Sequence, residues 1–254
     1  MSTDLGAMCV ECARQGRPDA RTRARYWSAR QPTLVTYVLI GLNVAIFTLV
    51  ALDDPSTLTG GGVLRPAPGL QQYDLGLSQA FLVYEDGWYR IVSSGFLHFG
   101  ILHLAFNMLL LYQLGQVLEP VLGRTRFALL YFAALLGGSA GVLLLQPNAF
   151  SGGASGAVFG LLGAACAWQL RQGINPLSTG IGGVLILNIM ITFWIPNISI
   201  GAHLGGLAAG AIAGWFMLTP RWKPLPRWVT YASPIVVALA AIMVCYLTTR
   251  SATQ

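Results

Sequence analysis

The chain has 254 residues, of which 55% are apolar and only 9% charged, with a mean hydropathy of +0.62; soluble domains carry about a quarter charged residues and cannot bury this much apolar surface. Disorder is excluded, thirty Gly and thirteen Pro without a triplet period exclude collagen, and the bilayer is left as the solvent. The formal charge of +6 comes from fifteen basic residues, fourteen of them Arg, against nine acids, and their distribution reads as membrane topology rather than nucleic-acid binding.

Residues 1–31 form a polar tail with six arginines and the pair Cys9-x-x-Cys12. Two thiolates are half of a structural zinc site, and no histidine is left over in this chain to complete it. Cys166 and Cys245 sit in apolar runs, so the four cysteines make no disulfide framework.

Seven apolar runs follow, near 33–52, 98–118, 127–145, 154–170, 177–195, 200–218 and 229–248. Each approaches the ~20 residues that a helix needs to cross the hydrocarbon core. The first follows a long polar tail and exceeds a signal-peptide h-region, so it is expected to remain as a spanning helix. With seven crossings, twelve of the basic residues fall on the side of the N-terminus and only Arg65, Arg90 and Arg250 on the other. Basic residues collect in cytoplasmic segments. The expected topology is therefore a cytoplasmic N-terminus and an outer C-terminus, with no nucleic-acid partner. The only long connection, residues 53–87, is rich in Gly, Pro and apolar residues (Gly60, Gly61, Gly62, Pro66, Pro68, Phe81 to Tyr84). Its composition suits a segment lying against the membrane surface, although a plain spacer has the same length signature.

The polar residues most costly in lipid, in or at the end of the runs, are His98, His103, Asn107, Glu119, Ser155, Asn188 and His203, and each is a functional candidate because an unpaired polar group in lipid is costly. His103 and Asn107 are four apart and share a helix face, whereas on one helix His98 and His103 would point about 140° from each other. Ser155 opens the fourth run within Ser151-Gly152-Gly153-Ala154-Ser155-Gly156. That places it at a helix N-terminus, where free N–H groups and the helix dipole favour a developing oxyanion. A helix-capping serine in a glycine-rich packing motif has the same pattern. His203 is followed at +3, +7 and +11 by Gly206, Gly210 and Gly214, and the fourth run offers Gly156-x-x-x-Gly160 and Gly163. Small residues at this spacing let membrane helices approach closely, in transporters as well as in enzymes. If these two faces meet, Ser155 and His203 come together as nucleophile and base. Beyond residue 87 the only acid is Glu119, which excludes a Ser-His-Asp triad and an intramembrane aspartyl protease. No H-E-x-x-H is present for a zincin.

Taken in order, these residues resemble the rhomboid family of intramembrane serine proteases. The shared elements are Trp88-Tyr89-Arg90, His98-x4-His103-x3-Asn107, Gly115-x3-Glu119-x3-Gly123, Gly153-Ala154-Ser155-Gly156 and Ala202-His203-x-x-Gly206-x-x-x-Gly210, which fall in this order within residues 32–218, the stretch the resemblance covers. The resemblance implies an all-α membrane fold, a bundle of six core transmembrane helices (32–218) plus one additional C-terminal helix within 219–254, as in six-plus-one members. It implies Ser155 as nucleophile and His203 as general base, with no cofactor. It adds the side chains of His103 and Asn107 to the Ser155 N–H as oxyanion donors, with His98, Gly153 and Phe159 near the active site. Phe159 stands where many members carry a Tyr that stacks on the histidine. Trp88 and Arg90 hold the outer loop; Glu119, Gly156, Gly206 and Gly210 are structural. The implied partners are transmembrane protein substrates and membrane lipid, and the implied location is the bacterial cytoplasmic membrane. The alternatives to this reading are a catalytically silent rhomboid-like protein that binds membrane clients, a transporter, and a haem or metal protein using the three histidines.

Overall fold

A computed structural model describes residues 33–59, 70–195, 198–220 and 222–252. The Cys9–Cys12 pair, Arg65 and the Gly60–Gly62 stretch lie outside the described residues. Ten α-helices and no strand occur among those described: α1 Leu34–Asp53, α2 Leu70–Leu75, α3 Gln79–Tyr84, α4 Arg90–Ser93, α5 Ile101–Leu122, α6 Arg124–Leu145, α7 Ser155–Arg171, α8 Gly180–Trp194, α9 Ile200–Met217 and α10 Arg227–Ser251. Every expected apolar run is a helix. Helices α1, α5, α6, α9 and α10 are long and apolar enough to cross a membrane, while α7 with 17 residues and α8 with 15 are shorter.

One boundary corrects the sequence reading. Hydropathy places the start of the second helix at residue 98, but α5 begins only at Ile101 because Gly100, at φ +108°, turns the chain before the helix. His98 therefore lies in the preceding connection, and the 140° separation from His103 does not apply: the two rings are neighbours, with centroids 5.1 Å apart and planes tilted by 59°.

Helix α9 lies between α6 and α7, and glycine makes both contacts possible. A Cβ on Gly206 would lie 2.0 Å from the Gly156 carbonyl oxygen, and one on Gly210 would lie 2.0 Å from that of Gly160. On the side facing α6, a Cβ on Gly201 would lie 2.4 Å from Gly141 O and one on Gly205 would lie 2.3 Å from Gly137 O. Backbones this close give three helices van der Waals contact that larger residues could not provide in lipid. The α7–α9 pairing follows the glycine spacing of the sequence; the α6 face, Gly137-Gly138-Ser139-Ala140-Gly141, is an addition made by the structure.

Helix α1 is held at its start by Glu119 of α5, whose Oε1 accepts from the Val35 N–H at 2.8 Å and whose Oε2 accepts from the Thr36 N–H at 2.8 Å and the Thr36 hydroxyl at 2.7 Å. A buried carboxylate thereby satisfies N–H groups that a helix leaves free at its first turn. Gly115, one turn earlier on α5, leaves room for the Thr36 side chain.

The long connection is folded in its described parts, with a 3₁₀ turn at Pro55–Thr59 and the short helices α2, α3 and α4. Its middle pairs with the approach to α7 through an isolated antiparallel bridge, Leu77 to Ser151, with two N–H···O bonds of 2.8 Å. Arg90 organises the rest. Its guanidinium is 3% exposed, bonds to Glu85 Oε2 at 3.0 Å, donates to the carbonyls of Tyr73 and Gly76, and lies 4.3 Å from the Phe81 ring centroid. The Tyr73 hydroxyl donates to Glu85, a bond that pushes the phenol pKa upward. Helix α10 packs along α6 and reaches the connection, where Trp88 lies 6.3 Å from Tyr246 and Gln79 Nε2 donates to Thr248 O at 3.0 Å.

Candidate active site

Ser155 is the first residue of α7, with Ala154 as the N-cap. Its own N–H meets no acceptor among the described residues, as expected at a helix start. The chain before it is fixed from three sides. The Gly153 N–H donates to Ser94 O at 2.8 Å, Gly152 packs against Leu97, and the Ala154 N–H points to His98 Nε2 at 3.5 Å. His98 Nδ1 lies 3.2 Å from Phe96 O. A carbonyl can only accept, so the proton sits on Nδ1 and Nε2 is left to accept from Ala154.

Gly153 has φ +137°, a conformation that residues with a side chain rarely adopt. A Cβ there would lie 2.9 Å from His103 Cε1, 3.0 Å from His103 Nε2 and 3.6 Å from Ser155 Oγ. The missing side chain thus makes room for the His103 ring beside the serine hydroxyl. The Phe99 N–H points to His103 Nδ1 at 3.3 Å. Because an amide N–H can only donate, the neutral His103 ring carries its proton on Nε2, the nitrogen nearer Gly153. Asn107 is buried one turn further along α5, and its Nδ2 donates to His103 O at 2.9 Å.

His203 lies in the first turn of α9, 6% exposed. The Phe159 ring stacks on its imidazole with centroids 4.0 Å apart and an interplanar angle of 14°. Phe159 and Ser155 are four apart on α7 and share a face, so this stack and the Gly156–Gly206 contact turn the serine's face of α7 toward the histidine. Among the described residues no hydrogen bond joins Ser155 to His203, although a closed nucleophile–base pair makes one. His203 Nδ1 is instead 2.7 Å from the hydroxyl of Thr192 on α8.

These groups gather at one end of the bundle. The first turns of α5, α7 and α9 meet there with the folded connection, tied by the Leu77–Ser151 bridge and by Gln146, whose Oε1 accepts from Ser199 Oγ at 3.1 Å and from the Gly201 N–H at 3.0 Å. The Rhomboid domain family model matches residues 85–220 of this chain, just over half of it. The chain belongs to the rhomboid family.

The bundle is accordingly a rhomboid-type all-α fold and the protein an integral membrane protein. The chain is 33% identical to the Rhomboid protease GluP of Bacillus subtilis (strain 168) over 204 residues, 79% of this chain and 38% of that protein. It is 33% identical to the Putative rhomboid protease YdcA of the same organism over 155 residues, 59% of this chain and 74% of that protein. RHOMBOID-like protein 4 of Arabidopsis thaliana is 36% identical over 140 residues, 53% of this chain and 35% of that protein. This chain thus spans less than half the length of GluP and of the Arabidopsis relative.

Three features of the site region escape sequence reasoning. Thr192 is one of many hydroxyl residues in apolar runs, and only its fold partner distinguishes it. Gln146 closes a helix where no motif announces it. The Gly137–Gly141 stretch carries a visible small-residue signal that the pairing of α7 with α9 alone leaves unused.

Proposed function

We propose that the protein is an intramembrane serine endopeptidase that cuts transmembrane segments of other membrane proteins through a Ser155–His203 dyad. The single observation that carries this reading is the stack of Phe159 on His203, because Phe159 shares a face of α7 with Ser155; the Gly156–Gly206 backbone contact supports it. The names of the GluP and YdcA relatives support it.

In the proposed reaction His203 takes the hydroxyl proton as Ser155 Oγ attacks the scissile carbonyl. The resulting oxyanion is held by the Ser155 N–H and by the side chains of His103 and Asn107. The Nε2 proton assigned to His103 suits this role, since preformed donors aimed at developing charge lower the barrier most. The tetrahedral intermediate collapses to an acyl-serine ester while His203 protonates the leaving amine. Water, deprotonated by His203, then releases the new carboxylate and restores the serine. A substrate helix protects its peptide bonds by its own hydrogen bonds, so it must unwind locally first. Gly, Pro or polar residues in the substrate span favour this.

The basic-residue asymmetry orients residues 1–31 and 219–226 in the cytoplasm and the site end, with the connection 53–87 and the C-terminus, outside. Within this organisation 32–218 is the six-helix core and α10 the added seventh helix. The test is cleavage of a generic transmembrane substrate by the purified protein in detergent or liposomes. Wild type produces two fragments and Ser155→Ala none; equal cleavage by both removes the mechanism.

A further inference from the structure

Helix α8 is the least buried of the long helices around the site, and only Gly182 and Thr192 on it are buried. The Thr192 hydroxyl makes two contacts, one of 2.7 Å to the carbonyl of Asn188 on its own helix and one of 2.7 Å to His203 Nδ1 on α9. A hydroxyl has one proton to give, and a carbonyl oxygen can only accept. The proton therefore goes to Asn188 O, and the Thr192 oxygen faces Nδ1 as an acceptor. Such an acceptor selects the imidazole tautomer protonated on Nδ1 and leaves the lone pair on Nε2, the arrangement a base requires on the nitrogen that is not held.

We propose that Thr192 is a positioning residue that fixes the tautomer and ring orientation of His203, taking the place of the missing carboxylate of a triad. Two constraints then act on one ring. Phe159 sets its plane by stacking, and Thr192 sets which nitrogen carries the proton. The chain Asn188 O, Thr192 OH, His203 Nδ1–H joins α8 to α9 by a hydrogen bond that an apolar residue of similar shape cannot make. The inference rests on the reading of His203 as the base.

The experiment has two readouts. In protein labelled with ¹⁵N-histidine, with the His203 signals assigned by their loss in His203→Ala, NMR reads the tautomer of the neutral ring directly. The wild type is expected to show Nδ1 protonated, Thr192→Val to lose that preference, and Thr192→Ser to keep it. Turnover of a transmembrane substrate should fall about tenfold in Thr192→Val at unchanged KM, the loss expected from one hydrogen bond, and return in Thr192→Ser. A wild-type ring protonated on Nε2, or Thr192→Val with the wild-type spectrum and turnover, overturns the proposal. Cleavage by Ser155→Ala would instead overturn the dyad and leave the NMR result standing on its own. If Thr192→Val does not fold, the wild-type spectrum decides alone.

Discussion

Replacing Gly206 by alanine should nearly abolish activity although Gly206 carries no reactive group. The added Cβ would lie 2.0 Å from Gly156 O, 2.7 Å from Gly156 C and 3.0 Å from Gly156 Cα, all backbone atoms that no rotamer change can move. Ordinary contact begins near 3.4 Å, so α7 and α9 must separate by about 1.4 Å at this point. The separation falls one residue after Ser155 and one turn after His203. Overpacking costs about 1–3 kcal/mol of stability, whereas a misplacement of about 1 Å between reacting groups costs roughly 10²-fold in rate. Turnover should therefore fall about 10²-fold while the protein remains folded and its thermal midpoint drops by a few degrees. Gly183→Ala on α8 and Gly41→Ala on α1 are the controls, because a Cβ at either position meets nothing within 4 Å. The assay is turnover of one transmembrane substrate by all three variants beside thermal unfolding in the same detergent. Wild-type turnover by Gly206→Ala would refute the packing argument.

His103→Ala and Asn107→Ala should each lower turnover by about 10²-fold with little change in thermal midpoint, since donors to a transition-state oxyanion act on rate; parallel losses of stability and activity would make them packing residues. The double variant should lose less than the product of the two single losses, because both serve one charge. Glu119→Gln should destabilise the fold by about 1–3 kcal/mol, because an amide cannot accept from both the Val35 and Thr36 sides. The folded fraction should keep its turnover, as Glu119 lies about 18 Å along α5 from Asn107, and an unchanged midpoint would contradict the cap. Arg90→Lys should speed chymotrypsin nicking around residues 73–89, because an ammonium cannot replace the guanidinium that bonds Glu85 and two carbonyls while lying over Phe81; nicking at the wild-type rate would show that the connection is held otherwise.

Much of this architecture is legible in the amino-acid sequence, for a physical reason. Lipid requires long apolar runs and expels polar side chains, so the helices and the few polar residues among them stand out. The contact of α7 with α9 is equally legible, since Gly156, Gly160, Gly206 and Gly210 recur at helical spacing and have no other evident use. Periodicity misplaces His98 because it does not register a single glycine at positive φ, and Gly100 delays the helix to Ile101, three residues past His98. The fold of the described part of the connection, residues 70–87, is not legible because its helices are of only six residues and are held by Arg90 and the Leu77–Ser151 bridge, contacts that sequence periodicity does not register. Thr192 is hidden for the same reason: its partner lies on another helix, eleven residues away.

The most direct measurement is intact-protein mass spectrometry after treatment with a serine-directed phosphonofluoridate, run beside substrate cleavage. A Ser155–His203 dyad predicts a single adduct on Ser155 that appears as cleavage disappears, no adduct at that position in Ser155→Ala, and a strongly slowed adduct in His203→Ala. A Ser155→Ala protein that still cleaves substrate, or full inhibition with the adduct on another residue, would contradict the dyad.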